Sequence, residues 1–138
     1  MLQPAIAGLI CGLISLYLPQ VIGLGTESIR EMIEGKINLK YAIYFLFFKL
    51  FLTVVCLRMG LIGGVFAPAL FIGASIGVIL GFFFQQINPE LDLNLLTVAS
   101  MSAFASCVIG GPVANMMIIL ELTSDYEATL VAGLSIVF

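Results

Sequence analysis

The sequence predicts an all-α integral membrane protein built of broken, tilted helices rather than a bundle of full-length spans. Three observations carry this. Of the 138 residues, 62% are hydrophobic and 9% charged. Soluble domains carry about 25% charged residues, and so few charges cannot cover a water-facing surface. The charges also fall in clusters, which mark water-facing turns between apolar runs. Finally, Gly-Gly pairs interrupt two uncharged stretches, 24 residues from Leu61 to Phe84 and 28 residues from Leu93 to Leu120. Non-helical backbone at membrane depth is tolerated only where it is buried in protein or lines a polar cavity. In transporters such breaks point to the substrate site.

The first apolar run is Pro4 to Leu18, closed by Pro19 and Gln20. Its helix rises about 22 Å, short of the roughly 30 Å hydrocarbon core. GTESIREMIEGKIN follows. Thr26 can cap a short helix with Glu27 in its first turn and Gly35 as its C′ residue. Ile29 and Ile33 share one face and Arg30, Glu31 and Glu34 the other, which predicts an interfacial piece. Asn38 then caps a long helix from Leu39 to Leu57 that contains Lys49 and ends near Gly60. The next helix starts near Val65 or Phe66, because Pro68 is comfortable only in a first turn. QQINPELDLN is a polar turn, and Asn94 can cap a helix from Leu95 to Ile109. Gly110, Gly111 and Pro112 break the chain before a short helix, Val113 to Leu122. Ser124 and Glu127 make an S-x-x-E capping box for a final run, Ala128 to Phe138. That run stops while still apolar, so the chain is expected to be cut mid-helix.

Several function classes fall away. A net charge of −3 with five Lys and Arg spread along the chain makes no basic face for nucleic acid. The chain has no His, the commonest general base and metal ligand, and no metal site is expected. Cys11, Cys56 and Cys107 lie in apolar runs without short spacing and are expected to pack as small apolar side chains. MLQPAIAGLI lacks the basic n-region of a signal peptide. An intramembrane enzyme would need a reactive pair. Here the acids lie at turns, and Ser75, Ser100, Ser102 and Ser106 have no base.

The break GGVFAP, residues 63 to 68, has chemistry of its own. The first N–H groups of a helix have no internal partner, so those of Val65, Phe66 and Ala67 point out of the N-terminus. Gly63 and Gly64 let a ligand approach the backbone, and the helix dipole adds about half a positive charge there. With no Asp or Glu nearby, an external anion can serve as the acceptor. Weak donors without a full positive charge suit conduction. The same residues also suit a plain kink whose amides are satisfied by another helix or by water.

Ala69, Gly73, Gly77 and Gly81 recur every four residues, the small-xxx-small pattern that lets another backbone approach closely. GGPVANMM repeats the break, and there a plain re-entry of the chain is favoured over a second anion site. Lys49 is open to three readings: a functional intramembrane charge, a paired one, or one that snorkels among Phe47, Phe48 and Phe51.

GGVFAPALFIGASIG, followed some forty residues later by GGPVANMMIILELTSDY, resembles the CLC family of chloride channels and chloride/proton exchangers. That family opens one helix with G-x-F-x-P and later leads a proline into an apolar helix ending in E-[LM]-T. The likeness is strongest from Arg58 to Glu127, and the flanking helices fit its plan. It implies a partial CLC-type transmembrane domain over residues 1–138, truncated at both ends: most of the second of two inverted repeats. It implies an anion, chloride or similar, held by the backbone amides of Val65 and Phe66, with Gly63, Gly64, Ala67 and Pro68 shaping the turn. It implies no cofactor and no enzymatic activity. The partners it implies are the lipid bilayer, the missing N-terminal half, and a second copy in a homodimer through residues 113–138. Location would be multi-pass, in the cell membrane. The family's GSGIP serine, GREGP gating glutamate and internal proton-transfer glutamate belong to the first half, and its pore tyrosine lies beyond Phe138. By pseudo-symmetry Phe66 takes the place that the gating glutamate holds in the other half. GGPVANMM departs from the family's more usual A-P-L-T. The alternatives are another broken-helix secondary transporter, or a structural membrane subunit without transport.

Overall fold

The computed structural model describes residues 2–17, 25–60, 64–89 and 91–137. These form helices and their connections, with no strand among the described residues: α1 Leu2–Tyr17, α2 Thr26–Ile33, α3 Leu39–Arg58, α4 Phe66–Gln85, α5 Leu93–Ile109, α6 Pro112–Thr123 and α7 Tyr126–Val137. Among the described residues, only α3 and α4, each of 20 residues, are long and apolar enough to cross a membrane. The 12-residue helices α6 and α7 rise about 18 Å each, well short of the hydrocarbon core.

Glycine sets several of the boundaries. Gly35 (φ 68°) ends α2 in the left-handed conformation, and the Lys36 amide reaches back to the Glu31 carbonyl at 3.0 Å, a Schellman closure. An ion pair between Lys36 and Glu34 marks the turn as water-facing. Gly60 (φ 75°) and Gly110 (φ 73°) do the same for α3 and α5. The closing residues of the first apolar run, Leu18 to Gln20, and the terminal Phe138 lie outside the described residues.

Three expected caps move. Thr26 is the first helical residue of α2, and left-handed Gly25 precedes it as N-cap. Asn94 lies inside α5, which starts at Leu93 with Asp92 as its N-cap. The earlier start puts Leu93 against Gly81 of α4, a packing gain that local capping preference cannot weigh. Ser124 makes no capping box with Glu127. It is left-handed (φ 52°) and closes α6, its amide bonded to the Leu120 carbonyl at 2.8 Å. Asp125 caps α7 instead, its Oδ1 accepting from the Glu127 amide at 3.0 Å.

The centre of the fold is the antiparallel pair α4 and α5. A Cβ placed on Gly73 would lie 2.8 Å from the Met101 Cα, and one on Gly77 2.6 Å from the Thr97 Cα. The small-residue face is therefore the surface on which the two backbones meet. Against this pair pack α2, through buried Ile29 and Met32, and α3, through Phe45 and Leu52. Phe45 meets Phe71 of α4 edge-on with ring centroids 5.9 Å apart. The short helix α2 is thus embedded on one side, with Glu27, Arg30 and Glu31 exposed on the other, rather than merely resting at an interface. Helices α6 and α7 fold back on α5 and are tied to it by polar bonds. The Ser102 and Ser135 hydroxyls lie 2.6 Å apart, and Asn115 Nδ2 donates to Ser106 at 2.8 Å. Such hydrogen bonds and small residues hold helices together where water supplies no driving force.

Lys49 does not snorkel. It is 4% exposed, with its ammonium 5.0 Å from the centroid of the Phe71 ring, whereas Phe47 and Phe51 point outward. A desolvated cation over an aromatic face is held by the ring quadrupole.

Candidate functional site

The α4 N-terminus is built as the GGVFAP residues require. Val65 is the N-cap (φ −78°, ψ −11°), and no side chain caps the helix. The helical ladder begins with the Ala69 amide donating to the Val65 carbonyl at 3.0 Å. Pro68 sits in the first turn, where its missing N–H removes no bond. The amides of Phe66 and Ala67 precede the first internal bond and point along the axis out of the helix. Gly64 is exposed, and a Cβ built on it would meet no described atom within 4 Å. Among the described residues the approach to the helix end is therefore open. Gly63 lies outside the described residues.

Two cavities flank this end. One, of 240 Å³, is lined by Phe66, Ala67 and Leu70 together with Thr26 and Ile29 of α2 and Ile118, Glu121 and Leu122 of α6. The other, of 180 Å³, lies between Val65, Pro68, Ala69 and Ile72, Leu50, Thr53 and Val54 of α3, and Phe104 and Val108 of α5. Apart from the exposed Glu121, neither holds a charged group. The positive pole of the site is thus backbone and dipole alone. Glu121 places a carboxylate at the first cavity, whereas Gly64 and Val65 are exposed on the other side.

The structure brings Val65, Phe66, Ala67 and Pro68 together because they are consecutive. What sequence reading missed is the surroundings: Thr26, Thr53 and Glu121 reach this end from three other helices. The only sequence signal for Glu121 was its E-L-T motif at the end of α6. The second break, at Gly110 to Pro112, is a two-residue corner. Gly110 caps α5, Gly111 caps α6, and Pro112 begins it.

Short helices packed around the α4–α5 pair, with α3 and α4 long and apolar enough to cross a membrane, are the architecture of a broken-helix membrane domain. Comparison with known proteins makes the assignment definite. Residues 1–138 match the model of the voltage gated chloride channel family, and the chain belongs to that family, one of transporters and channels rather than enzymes. It is similar to the H(+)/Cl(-) exchange transporter ClcA of Vibrio parahaemolyticus, with 27% identity over 91% of this chain and 27% of that protein. The same-named protein of Klebsiella pneumoniae is 28% identical over 94% of this chain and 28% of its own length. That of Vibrio cholerae is 27% identical over 86% of this chain and 26% of its own. The chain thus spans about a quarter of the length of the curated relatives it matches.

Proposed function

We propose that this chain is the second-half segment of a CLC-type transmembrane domain, and that the whole protein carries chloride or a related anion across a membrane, as a channel or a proton-coupled exchanger. The anion is held by the backbone amides of Val65 and Phe66, on a turn shaped by Gly63, Gly64, Ala67 and Pro68, with no cofactor. The missing N-terminal half closes the other wall of the pathway. Two copies pair through residues 113–138, in the cell membrane. The observation that carries the reading is the α4 N-terminus itself: uncapped by any side chain and open at Gly64, with no basic group lining the adjoining cavities. A full positive charge would trap a halide, whereas aligned amides hold it weakly enough to release it. The names of the matched relatives, chloride/proton exchangers, support the choice of ion.

Calorimetric halide binding to the full-length protein tests the site. Phe66→Ala keeps the amide and should change chloride affinity only modestly. One residue inserted between Gly64 and Phe66 re-aims the helix end and should abolish binding. Equal binding by the insertion variant and the parent overturns the backbone site.

A further inference from the structure

Two of the three cysteines, far apart in sequence, meet in the fold. Cys11 of α1 and Cys56 of α3 are 45 residues apart, yet their sulfur atoms lie 3.5 Å from each other. Both are free and half-buried, whereas Cys107 on α5 is exposed. Among the described elements, α1 makes its main contact with α3, and the thiol pair sits in that contact. We propose that Cys11 and Cys56 form a modification site: a dithiol that a peroxide oxidises reversibly to a disulfide, clamping α1 to α3.

The geometry favours this pairing. A disulfide needs its sulfurs about 2.05 Å apart, so the pair must close by about 1.5 Å from its 3.5 Å separation. The pair is half-buried rather than enclosed, so a small uncharged oxidant can reach it. One thiol, as its thiolate, attacks a peroxide oxygen; the O–O bond breaks, an S–O bond forms, and the departing hydroxide takes up the thiol proton as water. The second sulfur then attacks the resulting sulfenic acid. An S–S bond forms, the S–O bond breaks, and a second water leaves. Two thiols lose two electrons and hydrogen peroxide becomes two waters. On the proposed function, the clamp bears on the anion pathway through α3, whose Leu50, Thr53 and Val54 line the cavity beside Val65 and Pro68.

The test uses the full-length protein in its membrane. It is treated with hydrogen peroxide, blocked with N-ethylmaleimide, denatured and digested with trypsin, which cuts after Arg30, Lys49 and Arg58. Mass spectrometry should find the Cys11 and Cys56 peptides joined, with both thiols lost together, and Cys107 still alkylated. Dithiothreitol should restore both thiols. In Cys11→Ser, no cross-linked peptide should form, and dithiothreitol should return any oxidised Cys56 to an alkylatable thiol. Alkylation of both Cys11 and Cys56 after peroxide overturns the proposal, and so does a link from either to a different cysteine. Because the main readout needs no substitution, misfolding of the variant cannot obscure it.

Discussion

Alanine at Gly77 should force the two central helices apart. A Cβ there would sit 2.6 Å from the Thr97 Cα and 3.1 Å from the Thr97 carbonyl oxygen, whereas ordinary contact begins at 3.4 Å. The α4 and α5 backbones must therefore separate by at least about 0.8 Å, and no truncation of the Thr97 side chain relieves it. Overpacking of this kind costs about 1–3 kcal/mol, offset by the 0.5–1 kcal/mol or so that alanine gains over glycine in a helix interior. A net loss of about 0.5–2 kcal/mol remains, roughly a two- to thirtyfold shift toward the unfolded state. Gly73→Ala, facing the Met101 Cα at 2.8 Å, should behave similarly. Gly81→Ala should not: its neighbour is the Leu93 Cδ2, the tip of a side chain that can rotate away. Gly133→Ala, which meets the Met116 methyl, should be tolerated for the same reason. The assay is the fraction of full-length protein left monodisperse on size-exclusion chromatography after graded heating in detergent. Gly77→Ala as stable as Gly81→Ala would refute the claim that backbone approach sets this interface.

Asp125→Ala should destabilise α7 by about 1 kcal/mol, while Ser124→Ala stays near neutral and Ser124→Gly stabilises slightly, read by the same heating series. Ser106→Ala should cost more than Asn115→Ala, because Asn115 is 1% exposed with its Oδ1 already unpartnered. Losing Ser106 strands the whole amide, at about 1–3 kcal/mol, whereas removing Asn115 also removes the unsatisfied acceptor. The 138-residue chain reconstituted alone in liposomes should give no chloride efflux above background, since a helix N-terminus worth up to about 2 kcal/mol cannot replace the hydration of an ion. Selective efflux from the isolated chain would contradict its assignment as one wall of a pathway.

Much of the fold was legible locally. Pro68 placed the start of α4 to within a residue, because its missing N–H is tolerated only in a first turn. Gly35, Gly60 and Gly110 marked helix ends because they adopt the left-handed conformation that few other residues do. The candidate site was legible for the same reason: Val65, Phe66, Ala67 and Pro68 form one turn, and the chemistry of unpaired amides needs no distant partner. Where the reading slipped, two local signals competed or a distant contact intervened. Ser124 had the right spacing for a box with Glu127 but was already committed to closing α6. Asn94 was a good cap until Leu93 found Gly81.

Composition and spacing alone determined that this chain belongs in a bilayer, that its helices are broken, and which turn presents bare amides. These are properties of consecutive residues and of their transfer between water and hydrocarbon. Tertiary structure alone decided which backbone fills the Gly73–Gly77 face, that Lys49 turns inward over Phe71, and that Glu121 stands beside the α4 end. It alone brought Cys11 to Cys56. Each of these depends on how two helices distant in sequence are set against each other. That placement is fixed by close packing over a whole interface, which no local stretch of sequence contains.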